Sequence, residues 1–200
     1  MGAIEGLQIE HRVIERAIDA LAGFSHEVRL GGCAQEDLRQ FVHFLGGFAD
    51  DVHHSKEEDL LFPAMVAAGL PRNSGPLALM MHEHAVGRSY LWMLQVFAEK
   101  EHAWSRNDRE EIAERAASYA ALLRAHIQKE DGVLFPLARR RLTAGTMARL
   151  DAACANLDLH KRAGHFELVT LALALANRYA PVLQHAASRR GLDRRLQIVR

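Results

Sequence analysis

Apolar side chains recur every three or four residues along most of the chain, which is the period of one buried face of an α-helix. In the first segment, Leu7, Ile14 and Leu21 stand seven residues apart on that face. The pattern stops at Gly31, and glycine commonly ends a helix. It therefore predicts an amphipathic helix over residues 4–29.

Three further segments show the same period and are separated by short stretches that contain glycine, proline, serine or asparagine. They cover about residues 35–68, 76–103 and 107–141, and Pro63 is expected to bend the second helix or to end its regular part. Four long helices joined by short loops are typical of an up-down-up-down bundle. The predicted fold class is therefore all-α, with a four-helix bundle over residues 1–142.

Residues 143–200 form a helical extension beyond that bundle. The pattern predicts one helix from about Thr143 and a second, very apolar helix over residues 164–180. Because apolar side chains cover more than one face of the second helix, we expect it to pack on the bundle or on a partner subunit, and the latter case corresponds to a homodimer. The basic segment 189–200 is expected to be a solvated terminus.

The composition narrows the class of protein without identifying a function. The 200 residues carry 25 Lys and Arg against 25 Asp and Glu, so there is no overall positive charge for nucleic-acid binding. No apolar run approaches the roughly 18 residues that a transmembrane helix requires. The two cysteines, Cys33 and Cys154, are too far apart to indicate a disulfide framework or a thiolate metal site. We therefore expect a cytoplasmic protein that binds neither nucleic acid nor membrane.

The feature that departs from an ordinary composition is histidine, with twelve residues in the chain. Several of them belong to an internal repeat with an offset of 73 residues. Residues 53–63 match residues 126–136, with histidine, lysine, glutamate and a Leu-Phe-Pro sequence in register, and residues 10–11 match residues 83–84 as Glu-His pairs. Packing of a duplicated helix pair explains the recurring Leu-Phe-Pro, but it does not explain the recurring charged residues.

Each copy of the repeat supplies side chains of the kinds that bind metal ions. A histidine and a glutamate four positions apart point to the same side of a helix, so both reach one cavity. In a four-helix bundle, two inward carboxylates can bridge a pair of metal ions while histidines from facing helices cap each ion. Burying these charges without a cation would be costly. The candidate metal ligands are His11, His53, Glu57, His84, His126 and Glu130.

With these residues, the segment 1–142 resembles the hemerythrin-like, HHE cation-binding domain family. The shared pattern is the order His, HxxxE, His, HxxxE, with Leu-Phe-Pro after each HxxxE. The resemblance implies a four-helix bundle that holds a non-haem di-iron centre. It also implies that the four histidines are terminal ligands and that Glu57 and Glu130 bridge the two irons.

The chain departs from the oxygen-carrying members of that family, which have a fifth histidine where this sequence has Met80. Tyr119 lies seven residues before His126 on the same helix face and is a candidate for the missing ligand, although a packed bundle tyrosine is the simpler interpretation. The resemblance makes Asp131 an alternative metal ligand to Glu130. The helical angle favours Glu130. Open coordination positions favour reaction with small molecules over reversible oxygen carriage.

The other recurring or neighbouring polar residues receive structural interpretations. On an α-helix, His54 is rotated by about 100° from His53, so we expect it outside the ligand set or at the surface. Lys56 and Lys129 are expected to extend towards solvent. The remaining histidines are left without a role, including His160 and His165 in the extension.

The expected function is that of a hemerythrin-like protein that binds two irons, with manganese and zinc left open as the native metal. The expected partner is a small molecule, namely dioxygen, peroxide or nitric oxide. One interpretation is an enzyme that decomposes peroxide or reduces nitric oxide. The other is a non-catalytic sensor or binding protein for oxygen, nitric oxide, redox state or iron. Iron storage is disfavoured because nothing suggests a shell-forming assembly.

Overall fold

A computed structural model of the chain describes the backbone of residues 2–196 and the side chains of residues 2–160 and 164–179. The described residues contain helices and no strand, so the prediction of an all-α fold is confirmed. The α-helices are α1 (Ala3–Leu30), α2 (Gln35–Phe44), α3 (Phe62–Ala67), α4 (Gly75–Ala98), α5 (Arg106–Lys129), α6 (Phe135–Arg141) and α7 (Ala144–Leu196). Three π-helical segments lie at Leu45–His54, Glu57–Leu61 and Glu130–Leu134.

Helix α1 matches its prediction to within one residue at each end. It ends at Gly31, whose φ of 78° is in the left-handed region that favours glycine and whose N–H donates to the carbonyls of Glu27 and Val28. At the other end, the N–H of Ala3 donates to Asp151 of α7 with an N···Oδ1 distance of 2.7 Å. The Asp151 side chain of α7 therefore caps the first turn of α1.

The second and fourth predicted helices are continuous in hydrogen bonding but are not regular α-helices throughout. Residues 35–67 pass from α2 through two π-segments into α3, and residues 106–141 pass from α5 through one π-segment into α6. The disturbance expected at Pro63 lies before the proline, which occupies the first turn of α3 directly after the π-segment Glu57–Leu61. The π-segments Glu57–Leu61 and Glu130–Leu134 are themselves related by the 73-residue offset.

The prediction of two helices in the extension is wrong, because α7 is one helix from Ala144 to Leu196. Gly164, where the second helix was expected to begin, lies inside α7 without interrupting it. Helix α7 packs along α1 and also contacts α2. The side chains of the basic segment 189–200 lie outside the described residues. Elsewhere in the chain, helix α4 ends at Ala98, five residues before the predicted end at residue 103.

Two apolar clusters flank one layer of buried polar side chains. The first apolar cluster includes Ile4, Leu7, Leu61, Met80, Leu134 and Leu150. The second apolar cluster includes Ile14, Phe48, Leu91, Ile127 and Leu168. Residues 3–30, 35–67, 75–98 and 106–141 each contribute to both clusters, so each of these helical segments crosses the polar layer once. Among the described residues, no helix combines the length and apolar character required to cross a bilayer.

Candidate metal centre

All six predicted ligands meet in the buried polar layer between the two apolar clusters. Each of the four helical segments supplies at least one of these ligands from the part of the helix that crosses the layer. Six residues of the layer, at most 1% exposed, are these ligands: His11, His53, Glu57, His84, His126 and Glu130.

The four histidines face each other in two pairs. The Nε2 atoms of His11 and His53 are 3.1 Å apart, and the same distance separates the Nε2 atoms of His84 and His126. Two nitrogens at right angles on one ion, each about 2.1 Å from it, would be separated by about 3.0 Å. Each pair therefore has the spacing of two ligands on a common metal ion.

Two glutamates lie between the histidine pairs. Glu57 reaches both, with Oε1 at 3.7 Å from Nε2 of His53 and Oε2 at 3.4 Å from Nε2 of His84. Oε2 of Glu130 lies 3.2 Å from Nε2 of both His11 and His126. The two carboxylates thus span the pairs in the manner of bridging ligands.

The carboxylate oxygens of these two glutamates are buried without compensating hydrogen bonds from the part of the chain that the structure describes. Both carboxylate oxygens of Glu57 and both of Glu130 are buried, and none has a hydrogen-bond partner of conventional geometry among the described residues. A buried carboxylate is strongly destabilising unless a cation or hydrogen bonds compensate it. The imidazole and carboxylate donors of this layer match the ligand preferences of iron, manganese and zinc.

The protonation of the layer reflects the same crowding of charges. Burial raises the pKa of Glu57 well above its usual value, and the negative charge of Glu130 raises it further. Burial also acts to raise the pKa of Glu130, but His126 and His11 outweigh it and hold that pKa well below its usual value. Burial lowers the pKa of His11, yet the hydrogen bond to Asp131 and the nearby carboxylate of Glu130 bring it to about 9. Glu57 and His11 therefore each hold a proton to a higher pH than the same side chain does in water.

A second set of carboxylates holds the outer nitrogen of every predicted ligand histidine. The Nδ1–H group donates in each case, because an ionised carboxylate only accepts, and this leaves the Nε2 lone pair facing inward. The pairs are His11 with Asp131 (2.9 Å), His53 with Glu10 (3.0 Å), His84 with Glu58 (2.6 Å) and His126 with Glu83 (2.9 Å).

These outer carboxylates were not identified as histidine partners from the sequence. Their signal was nevertheless present, because Glu10 and Glu83, and Glu58 and Asp131, stand at equivalent positions of the repeat. Asp131, the alternative metal ligand, lies on the outer side of His11, and its other oxygen accepts from Arg12.

The prediction that Lys56 reaches solvent is wrong. Lys56 is only 2% exposed, and its Nζ lies 2.5 Å from Oε1 of Glu10 and also contacts Asp158 of α7. Lys129 makes the equivalent hydrogen bond to Glu83, but its side chain is 36% exposed. Each lysine therefore binds a glutamate that in turn holds one of the predicted ligand histidines.

His54 is also buried, at 3% exposure, so the surface position considered for it is excluded. It lies in the π-segment Leu45–His54, and a π-turn contains more residues than an α-turn, which reduces the angle between neighbouring side chains. Its Nδ1 is 3.1 Å from Oδ1 of Asp50, and its ring stacks on that of His84 with 3.9 Å between centroids. The α-helical angle used for the prediction does not apply in this segment.

The two other positions singled out from the sequence are both buried. Tyr119 packs in the second apolar cluster, with its ring 6.4 Å from that of Tyr90. Burial raises the pKa of its hydroxyl. Met80 packs in the first apolar cluster. Neither residue belongs to the histidine pairs or to the carboxylates that span them.

The geometry of the polar layer agrees with a comparison against known families. The family described as the hemerythrin HHE cation binding domain matches residues 2–138. Comparisons with curated proteins and with solved structures gave no match. The matched segment contains both histidine pairs, both bridging-type glutamates and all four outer carboxylates. The chain therefore belongs to the hemerythrin HHE cation-binding domain family.

Proposed function

We propose that this chain binds two iron ions through His11, His53, Glu57, His84, His126 and Glu130, and that the iron pair reacts with peroxide, nitric oxide or dioxygen. The observation that carries the proposal is the set of four buried glutamate oxygens that lack a hydrogen-bond partner among the described residues and lie between two pairs of histidine Nε2 atoms. One ion would lie at His11 and His53, the other at His84 and His126, and the two glutamates would bridge them.

The proposal includes the arrangement of the helices. Residues 3–30, 35–67, 75–98 and 106–141 form an up-down-up-down four-helix bundle, with α7 added along α1. Each segment contributes to both apolar clusters, and successive segments are joined by short connections, which supports alternating directions.

When bound, an iron pair supplies coordination positions and electrons for a small molecule. The chain's own residues prepare the site for it. Glu10, Glu58, Glu83 and Asp131 hold the imidazole rings so that each Nε2 faces inward. The apolar clusters on either side limit the entry of water to the layer. A small uncharged molecule is the class of partner that such an apolar surrounding admits.

A sensor or binding protein is the second candidate, and one contact favours it. Asp158 of α7 contacts Lys56, which donates to Glu10, which in turn accepts from His53. A change at the iron pair would therefore reach the long helix α7 through three side chains. In the enzyme, by contrast, α7 serves to cover the bundle.

Iron stoichiometry tests the binding proposal directly. The purified chain is loaded with ferrous iron without air, freed of excess metal, and its iron and protein contents are measured. We expect two irons per chain, and fewer than two in Glu57→Ala and in Glu130→Ala. His82→Ala is the matched control, because His82 is exposed and lies two residues from His84 on α4. Less than one iron per loaded wild-type chain would contradict the proposal.

The reaction is tested on the loaded protein with each small molecule in turn. An enzyme would consume peroxide, or nitric oxide without air, over many turnovers, and the Glu57→Ala variant would not. A sensor would instead give a single stoichiometric change in the visible spectrum, accompanied by altered hydrogen exchange in α7. Absence of any spectral change with all three molecules would contradict the reactive site.

A further inference from the structure

His54 shares the features that single out the four predicted ligand histidines. It is buried in the polar layer, and its Nδ1 is held by a carboxylate, that of Asp50. Asp50 is itself fixed by Arg88, whose Nε lies 2.8 Å from Oδ1. Metal-binding histidines commonly donate their second nitrogen to a carboxylate in this way. The nitrogen of His54 left for an ion is therefore Nε2.

The position of His54 associates it with one histidine pair. One ring nitrogen of His54 lies within 4.8 Å of donor atoms of Glu57, His84 and His126, and these four residues form one of the two groups able to surround an ion. The other group consists of His11, His53, Glu57 and Glu130. His54 therefore adds a third imidazole to the position of His84 and His126.

The ring of His54 stacks on that of His84 at an interplanar angle of 19°, and parallel rings do not direct their lone pairs at one point. Binding an ion requires a rotation of the His54 ring about χ2. The χ2 torsion of histidine has broad minima, which permit a change in the ring angle within the same χ1 rotamer. The ion then replaces the stacking contact as the partner of the ring.

The repeat shows that the second metal position has no equivalent donor. The residue 73 positions after His54 is Ile127, which is buried in the second apolar cluster. The backbone differs in the same place, because Leu45–His54 is π-helical whereas the equivalent residues 118–127 belong to the regular helix α5. The otherwise matched halves of the layer thus differ at one donor.

We propose that His54 is a fifth imidazole ligand, so that one ion is held by His54, His84 and His126 and the other by His11 and His53 alone. The two-histidine ion then keeps the coordination position at which a small molecule binds. This inference rests on the proposed function, since it requires two ions bridged by Glu57 and Glu130. It places the additional imidazole on the first half of the repeat, whereas Met80 on α4 remains part of the apolar packing.

Azide binding to the diferric protein tests the assignment, because azide occupies open positions on ferric iron. We expect one azide per chain in the wild type and two in His54→Ala, in which the second ion also acquires an open position. Added imidazole should fill the space in His54→Ala and return the stoichiometry to one. His82→Ala, which removes an exposed histidine of α4, should bind one azide.

The outcomes separate this inference from the proposed function. A wild-type chain that fails to bind two irons overturns both. A wild type that binds two irons and two azides, or a His54→Ala variant that still binds one azide, overturns only the role of His54. If His54→Ala does not fold, Mössbauer spectra of the wild-type protein decide: two doublets of equal area are expected, and a single doublet overturns the inference.

Discussion

Lys56 donates a hydrogen bond to Glu10 across 2.5 Å, and both side chains are buried beside His53. The repeat places Lys129 in the same relation to Glu83, but there the lysine side chain is partly exposed. The same contact therefore exists in two environments within one molecule. The buried Lys56–Glu10 pair and the more exposed Lys129–Glu83 pair therefore differ in burial, and burial determines how much each pair contributes to the free energy of unfolding.

Lys56→Met is expected to destabilise the metal-free protein much more than Lys129→Met. Loss of Lys56 leaves Glu10 buried without its cation, which costs about 3–5 kcal/mol, whereas a more exposed ion pair contributes about 1 kcal/mol or less. Urea unfolding of both variants in the presence of a chelator measures the difference. Equal losses in the two variants would show that the burial of Lys56 has no energetic consequence.

The raised pKa of Glu57 predicts a pH dependence of stability in the metal-free protein. Between the pKa of unfolded Glu57, about 4.5, and its higher folded value, the folded state binds more protons than the unfolded state, so this residue's contribution to stability falls as pH rises. Relative to Glu57→Gln, which carries no charge at any pH, the wild type should lose up to about 1.4 kcal/mol per pH unit in that window.

Unfolding by urea at several pH values between 5 and 8, with chelator present, measures this difference. Bound metal should remove the trend, because a cation takes the place of the proton on Glu57. A constant difference between wild type and Glu57→Gln across the range would contradict the raised pKa.

The outer carboxylates should tune metal affinity without being ligands. Glu58 accepts from Nδ1 of His84 across 2.6 Å, and this hydrogen bond together with the guanidinium of Arg88 lowers the pKa of Glu58 to about 2. Glu58→Gln removes the charge but keeps the size of the side chain, so iron affinity should fall about 10- to 100-fold. Competition with a chelator of known affinity measures the loss. Asp59→Asn alters the exposed neighbouring carboxylate and should leave the affinity unchanged.

The sequence predicts the helices and the candidate ligands because both depend on regular spacing. Residues four apart on a helix face the same side, and the repeat at 73 residues doubles the weight of each position. The environment of Lys56 was not predictable in this way, since it depends on α7, which brings Asp158 over the lysine. The surface position considered for His54 was wrong because a local π-segment replaces the α-helical period.

The extension shows a different limit of sequence interpretation. The second helix of the extension was expected to begin at Gly164. A Cβ at Gly164 would meet no atom of the described residues within 4 Å, and its φ is not positive, so neither a close approach of these residues nor the backbone explains a glycine there. A glycine inside an exposed part of a helix costs about 1 kcal/mol, which the packing of α7 along α1 outweighs.

Gly23 controls how closely α1 and α7 approach. A Cβ at this position would overlap the carbonyl oxygen of Tyr179 on α7, whereas a Cβ at Gly6 of α1 would meet nothing within 4 Å in the described part of the chain. Gly23→Ala should therefore push the helices apart and destabilise the protein by about 1–3 kcal/mol. Gly6→Ala should stabilise it by about 0.5–1 kcal/mol, because alanine favours the helix interior. Urea unfolding measures both values, and hydrogen exchange should show faster opening of α7 in Gly23→Ala alone. Stabilisation by Gly23→Ala would mean that α7 does not lie against α1 at this point.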